Sequence, residues 1–194
     1  SEHLIADSYA YAYGITATDI DSDGDLDVTS ADYQPHNMLY LFENDRRGDF
    51  TRHIIQKDDP ERLERHLTGD VDADGDLDVV IVKNLRGDLL WFENSGTPTD
   101  GRLWRRHVIT TDLPGAYDVA LADFDLDGDL DVAASSWVLG NQFAWFENDG
   151  TPADGAWNKH MIEQQIAETR TMRAADFDGD GDADLLGTAR KADQ

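Results

Sequence analysis

The chain has 194 residues, enough for one substantial core, and carries 41 acidic against 16 basic side chains for a formal net charge of −25. That balance excludes nucleic acid as a partner, because no basic stripe is available to displace counterions from phosphates. There is no cysteine to form a disulfide, and no apolar run reaches the ~18 residues of a membrane-spanning helix.

In chain order, His3-Leu4-Ile5 matches His53-Ile54-Ile55 further on and predicts that the chain opens on an outermost strand. Gly14 to Thr18 reads as a first strand, small and mixed as suits a position crowded near an axis. Asp19, Asp21, Asp23, Asp25 and Asp27 follow, a carboxylate at every odd position with Gly24 sixth in the run. A β-prone second strand begins at Val28. A third spans Leu39 to Asn44 and ends in Phe-Glu-Asn, a short turn reaches Gly48, and a fourth strand covers Phe50 to Ile54.

The whole unit then returns at a period of about 50 residues, the kind of repeat that decides a fold. The second acidic run is Asp70, Asp72, Asp74, Asp76 and Asp78; the third is Asp123, Asp125, Asp127, Asp129 and Asp131; the fourth is Asp176, Asp178, Asp180, Asp182 and Asp184. Phe-Glu-Asn recurs at 92–94 and 146–148, and a fourth strand recurs at 104–108 and 157–161. The second and third units lengthen the intervening turn with Asn, Gly and Pro. The fourth unit stops within its second strand, at 185–194.

Alternating carboxylates of this density repel one another unless a cation sits among them. Hard oxygen ligands at every second residue, with glycine for the sharp turn, specify Ca²⁺, up to one per run and so up to four. An EF-hand is excluded: position twelve would be Ser30, Ile81, Ala134 or Gly187 rather than a bidentate Glu, and strands follow rather than helices. The runs therefore read as calcium-filled connections between two strands, with side-chain oxygens from Asp19, Asp21, Asp23 and Asp27 in the first, the backbone carbonyl of Asp25 at position seven, and the same pattern in the others. Calcium would be the staple that disulfides are not. A chain that begins at Ser1 without a signal segment fits a mature product, secreted, extracellular or periplasmic, where calcium is plentiful.

Four short strands per unit of this length, with no helical periodicity, predict an all-β fold of β-propeller blades, each of four antiparallel strands. The expected blades are 13–56, 66–110 and 117–163, with a half blade at 171–194, about 3.5 in all. Such a half ring or fragment leaves an open edge, so self-association or further blades are expected to close it.

These residues resemble the FG-GAP/VCBS repeat family, the integrin-α-like propellers, over nearly the whole chain. The resemblance implies calcium in each hairpin between strands one and two, opposite the usual ligand face. It also admits adhesion receptors, lectins and propeller domains of polysaccharide-degrading enzymes, so the fold does not settle the function. The Phe-Gly and Gly-Ala-Pro signatures of the integrin versions are absent, and a seven-bladed ring needs roughly twice this length.

Repetition separates scaffold from site. His3, His53, His107 and His160 recur in register and read as structural, donating to a backbone carbonyl, while Glu43, Glu93 and Glu147 read as turn or inter-blade partners. The non-repeating residues gather in the connections opposite the acidic runs. Before the first strands lie Tyr9, Tyr11, Tyr13, Arg62, Arg65, His66, Tyr117, Arg170 and Arg173. Between second and third strands lie Tyr33, Gln34, His36, Asn84, Arg86, Trp137, Arg190 and Lys191. Aromatics that stack on sugar rings beside arginines that fork onto carboxylate or sulfate suit a carbohydrate, an acidic one in particular. From these, Tyr33, His36, Arg65, His66, Arg86, Tyr117, Trp137 and Arg173 are the candidate ligand residues.

The reading is a non-catalytic extracellular module binding carbohydrate or a cell-surface protein, with calcium structural. The alternatives are a lyase acting on an acidic polysaccharide, with a Tyr or His as base, and a pure assembly domain. No Gly-x-Ser-x-Gly, His-Glu-x-x-His or phosphate-loop motif is present to support an enzyme. Arg47-Gly48-Asp49 reads as a hairpin turn rather than an adhesion ligand.

Overall fold

The computed structural model describes residues 4–7, 11–33, 36–164 and 166–191, with side chains as far as Arg190. His3, Tyr9 and Gln34 lie outside the described residues, as does the side chain of Lys191. Among the described residues, fourteen strands form four separate sheets, all pairings antiparallel. The first holds β1 (Ala12–Thr18), β2 (Asp27–Asp32), β3 (Met38–Asn44) and β4 (Phe50–Gln56); the second β5 (Leu63–Gly69), β6 (Asp78–Lys83), β7 (Asp88–Glu93) and β8 (Arg105–Thr110). The third holds β9 (Ala116–Ala122), β10 (Asp131–Ser136), β11 (Gln142–Glu147) and β12 (Asn158–Gln164), and the last only β13 (Ala167–Ala175) and β14 (Asp184–Lys191). Strand order follows the chain in each sheet, and β1, β5, β9 and β13 pack on one another in succession as inner strands. These are β-propeller blades, three whole and one half, and the described residues do not close them into a ring.

The second strands are sandwiched between neighbouring sheets, and every residue of β2, β6 and β10 is buried. The apolar run of β6 meets this directly. In β2 and β10 the buried hydroxyls find partners instead: Thr29 Oγ1 lies 2.9 Å from His66 Nε2, and Ser136 Oγ donates to Pro114 O. Leu89, Leu90, Trp91 and Phe92 of β7 are at most 1 % exposed and feed the cores on both faces of their blade. Burying each contributes roughly 1.5–3 kcal/mol.

The recurring histidines act within each blade, through the glutamates rather than through backbone carbonyls. Nε2 of His53, His107 and His160 lies 2.8, 2.7 and 2.6 Å from Oε2 of Glu43, Glu93 and Glu147. Register explains the pairing: His107 and His160 lie directly opposite Trp91 and Trp145, stack on them at 4.4 and 4.2 Å, and reach diagonally to the carboxylate. The contact between blades is made by the next residue. Asn94 Nδ2 donates to Ile20 O at 3.5 Å and Asn148 Nδ2 to Val71 O at 2.9 Å, each reaching the acidic loop of the preceding blade.

The long turns have a use of their own. Trp104 and Trp157 donate their indole N–H to Pro98 O and Pro152 O, whereas the shortened first turn is followed by Phe50, which has no donor to satisfy. A Cβ on Gly101 would fall 2.0 Å from Ile54 O, so the second blade's turn lies hard against β4 and covers the outer edge of the first blade. Arg47-Gly48-Asp49 is a hairpin turn in which Asp45 Oδ1 accepts the N–H of both Arg47 and Asp49.

Residues 4–7 are not a strand. Ile5 and Ala6 instead pack against Val28, Tyr40 and Phe42 on the open face of the first blade. The expected outermost strand has no third strand beside it with which to pair. At the other end, β12 is exposed at six of its seven positions, because the two-stranded sheet brings no turn to cover it.

Candidate functional site

The four acidic runs leave the inner strands at one end of the blades, and the first three fold the same way, whereas in the fourth Gly179 rather than Asp180 donates to Asp176 Oδ1. In the first, the N–H groups of Asp23 and Gly24 donate to Asp19 at 3.0 Å; in the second, those of Asp74 and Gly75 donate to Asp70 at 3.1 Å. The sixth residue (Gly24, Gly75, Gly128, Gly181) has φ of 97 to 101°, which explains why glycine alone appears there. The ninth aspartate ties the loop to the sheet. Asp27, Asp78 and Asp131 are at most 1 % exposed, and each accepts the N–H of the loop's second residue and that of the asparagine ending the third strand. Asp184 has no third strand beside it and accepts only from Phe177 among these donors.

This folding gathers carboxylate oxygens within 4.8 Å of one another from Asp19, Asp21 and Asp27, from Asp70, Asp72 and Asp78, from Asp123, Asp125 and Asp127, and from Asp176, Asp178 and Asp184. Four clusters among the described residues could thus hold a metal ion. The donor set fits a hard cation, and the polar atoms ask for one: both Oδ atoms of Asp25 and Oδ1 of Asp72 are buried without a hydrogen-bond partner. Burial, reinforced by neighbouring aspartates and opposed by the two N–H donors, pushes the Asp78 carboxyl up to about 8 and that of Asp131 to about 6. Without a cation, these groups resist the charge that their sequence supplies.

At the opposite end, the inner strands begin with a cluster of arginines and aromatic rings. Tyr13, Glu64, Tyr117 and Arg170 each stand six residues before the first aspartate of their run, one per inner strand. Arg62 lies over Tyr13 and Tyr33 at 4.5 and 4.6 Å, Arg65 over Tyr117 at 4.3 Å, and Arg170 over Trp137 at 4.5 Å. Arg170 Nη1 donates to the Tyr117 hydroxyl at 3.1 Å. Beside the cluster, Asp118 accepts from Arg173 Nη1 at 3.1 Å and from the Met172 N–H. Tyr13, Gly14, Arg65, His66, Asp118 and Arg173 help to line a cleft of about 200 Å³. Arg65 Nη1 is buried there with no hydrogen-bond partner.

Of the candidate ligand residues, Tyr33, Arg65, Tyr117 and Trp137 come together in this cluster and Arg173 borders it. Of the other three, His66 lines the cleft but is taken up by packing between blades, and His36 and Arg86 stand outside the cluster. His66 is only 3 % exposed and joins the first two blades: Nε2 meets Thr29, Nδ1 would touch a Cβ on Gly14 at 2.7 Å, and burial lowers its pKa to about 4, so the ring is neutral. His36 faces Asp58 at 3.3 Å on the rim, and Arg86 is held by Glu61 at 2.7 Å. Asn84 is also structural, its Nδ2 donating to Ala116 O.

Glu64 and Asp118 are buried carboxylates in and beside the cluster that repetition did not flag. Glu64 is fully buried, 2.8 Å from Arg62 Nε but outside hydrogen-bonding geometry. Burial pushes its carboxyl up to about 7 against the pull of Arg62, Arg65 and Arg170. Because the folded state then holds the proton more tightly than the unfolded one, this group favours folding in acid and loses that contribution as pH rises through about 7. Glu64→Gln removes the dependence. Its melting temperature relative to wild type is expected to be higher at pH 8 than at pH 5, and parallel pH profiles for the two proteins would refute this.

A family model described as an FG-GAP-like repeat matches residues 70–134, the second acidic run through the third. No curated protein is similar enough to count as a match. Among solved structures, the chain is similar to one reported for the recognition of non-reducing terminal N-acetylglucosamine by an Agrocybe aegerita lectin, with a TM-score of 0.62 and 17 % identity. The superposition covers 92 % of this chain and 48 % of that one, so the chain spans about half the length of the lectin. At this identity the likeness is one of fold.

Proposed function

We propose that the chain is a calcium-stabilised, extracellular segment of a β-propeller that binds carbohydrate at the leading ends of its inner strands. Calcium in the acidic loops is structural: the loops lie at the far end of the same strands and pin the sheets that carry the ligand face. Asp19, Asp21 and Asp27, with their counterparts in the second and fourth loops and Asp123, Asp125 and Asp127 in the third, would hold the ion. Ion-pairing would hold their carboxylates in the charged form that burial opposes.

The observation that carries the ligand reading is Arg65 Nη1, buried and unpartnered in the wall of the cleft beside Arg173 and Tyr13. A donor left without a partner costs free energy, which an anionic or hydroxyl oxygen of a ligand restores. The cleft, at about 200 Å³, is smaller than pockets for drug-sized ligands, ~300–1,000 Å³, and suits one terminal sugar ring. Likeness to a lectin supports a sugar, and the arginines favour one bearing a carboxylate or sulfate.

Calorimetry with a panel of uronate-terminated and N-acetylglucosamine-terminated oligosaccharides tests this. Wild type is expected to bind the charged sugars more tightly. Arg65→Ala and Arg173→Ala should each weaken binding roughly tenfold or more, as expected for lost charge-assisted hydrogen bonds, while their melting temperatures report any loss of fold. Failure of wild type to bind any glycan of either class overturns the ligand reading. Formation of unsaturated uronate during the titration would replace it with the lyase.

A further inference from the structure

We propose that Arg46 is a built-in counter-cation of the first acidic loop, which lowers that loop's calcium affinity and holds its shape when calcium is scarce. The inference rests on the calcium reading above and concerns how one of the four sites differs from the others.

The three complete blades align on the asparagine that ends the third strand, Asn44, Asn94 and Asn148. Two residues later stand Arg46, Gly96 and Gly150. All three have positive φ, at 65, 77 and 80°, so the turn keeps its shape although an L side chain rarely adopts it. This position sits over the seventh aspartate of the loop: a Cβ on Gly96 would lie 2.9 Å from Asp76 Oδ2, and one on Gly150 the same distance from Asp129 Oδ2. In the second and third blades the residue at this position is glycine and brings no side chain to the carboxylate.

In the first blade a guanidinium does. Arg46 Nη2 lies 3.6 Å from Asp23 Oδ2 and Arg46 Nε 3.7 Å from Asp25 Oδ2. Both separations are longer than a hydrogen bond, so the attraction is Coulombic. Asp25 is the seventh aspartate here, and its two oxygens have no hydrogen-bond partner. A fixed positive charge so close to the ligand set repels an arriving divalent cation and offsets part of the repulsion among the carboxylates when none is bound. The arginine side chain is 61 % exposed, so salt screens the effect.

The experiment is a calorimetric calcium titration of the whole chain at low salt, for wild type and for Arg46→Asn, a neutral residue that tolerates positive φ. Arg46→Asn is expected to tighten one site by roughly tenfold, the scale of a partly screened unit charge at this distance, and to lower the melting temperature in chelator. Arg46→Lys keeps the charge and should stay near wild type in both. The converse substitution, Gly96→Arg, should weaken the second site by a similar factor relative to Gly96→Asn, which adds the same Cβ beside Asp76 without the charge, and this keeps the inference testable if Arg46→Asn fails to fold. Raising the salt should shrink each difference. If both proteins bind calcium with identical affinities, the role of Arg46 is refuted and the calcium reading stands; if neither binds calcium, both are lost.

Discussion

Chelating calcium from the purified chain is expected to lower its melting temperature by roughly 20 °C or more. Saturating one site at a hundredfold its Kd contributes about 2.7 kcal/mol. Four such sites contribute on the order of 10 kcal/mol, and a domain of this size shifts by roughly 2–4 °C per kcal/mol. The structural route is short. Each loop joins the first and second strands of a blade, in the three complete blades the aspartate at its ninth position grips the backbone at the end of the third strand, and Asn94 and Asn148 tie the first and second loops to the blade that follows. Loss of the ion therefore loosens both the sheet and the joint between sheets. A melting temperature unchanged by chelator would show that the acidic runs are solvated turns and that the blades stand without metal.

Trp91→Ala is expected to cost about 3–5 kcal/mol, the range for deleting a large buried aromatic, or roughly 10 °C. Trp91 is fully buried in the core shared by the second and third blades, and its ring stacks on His107, which in turn is held by Glu93. Removing it opens a cavity between two sheets that cannot close without breaking the His–Glu pairing. Trp145, one blade further on, is the internal control. It makes the same stack with His160 but is only partly buried, since the half blade beyond it has two strands. Trp145→Ala should cost less than Trp91→Ala. Equal losses would contradict packing between blades as the source of stability.

The acidic loops could be read from the sequence because their carboxylates are local: nine consecutive residues, repeated four times with glycine in register, describe their own geometry. Blade count and the half blade followed for the same reason, each strand being marked by its own pattern. The arginine and aromatic cluster at the opposite end was legible only in part. Tyr33, Arg65, Tyr117 and Trp137 stood out because they do not repeat. Yet each inner strand or its pairing carries a register shift at its leading end, between Ala12 and Gly14, Leu63 and His66, Ser135 and Ser136, and Thr169 and Met172. Such bulges re-aim side chains. Alternation along β5 alone therefore could not say that Glu64 and His66 are buried while Arg65 faces the cleft. The histidine–glutamate pairs and the asparagine stitches depend on register between strands and contact between blades, neither of which a single repeat displays.

The central claim is that four acidic loops hold four calcium ions as part of the fold. Native mass spectrometry of the intact chain across a calcium titration tests it most directly. The account predicts stepwise addition of up to four ions per chain, accompanied by collapse of the charge-state distribution toward that of a compact protein. A chain that stays compact and binds none would contradict it.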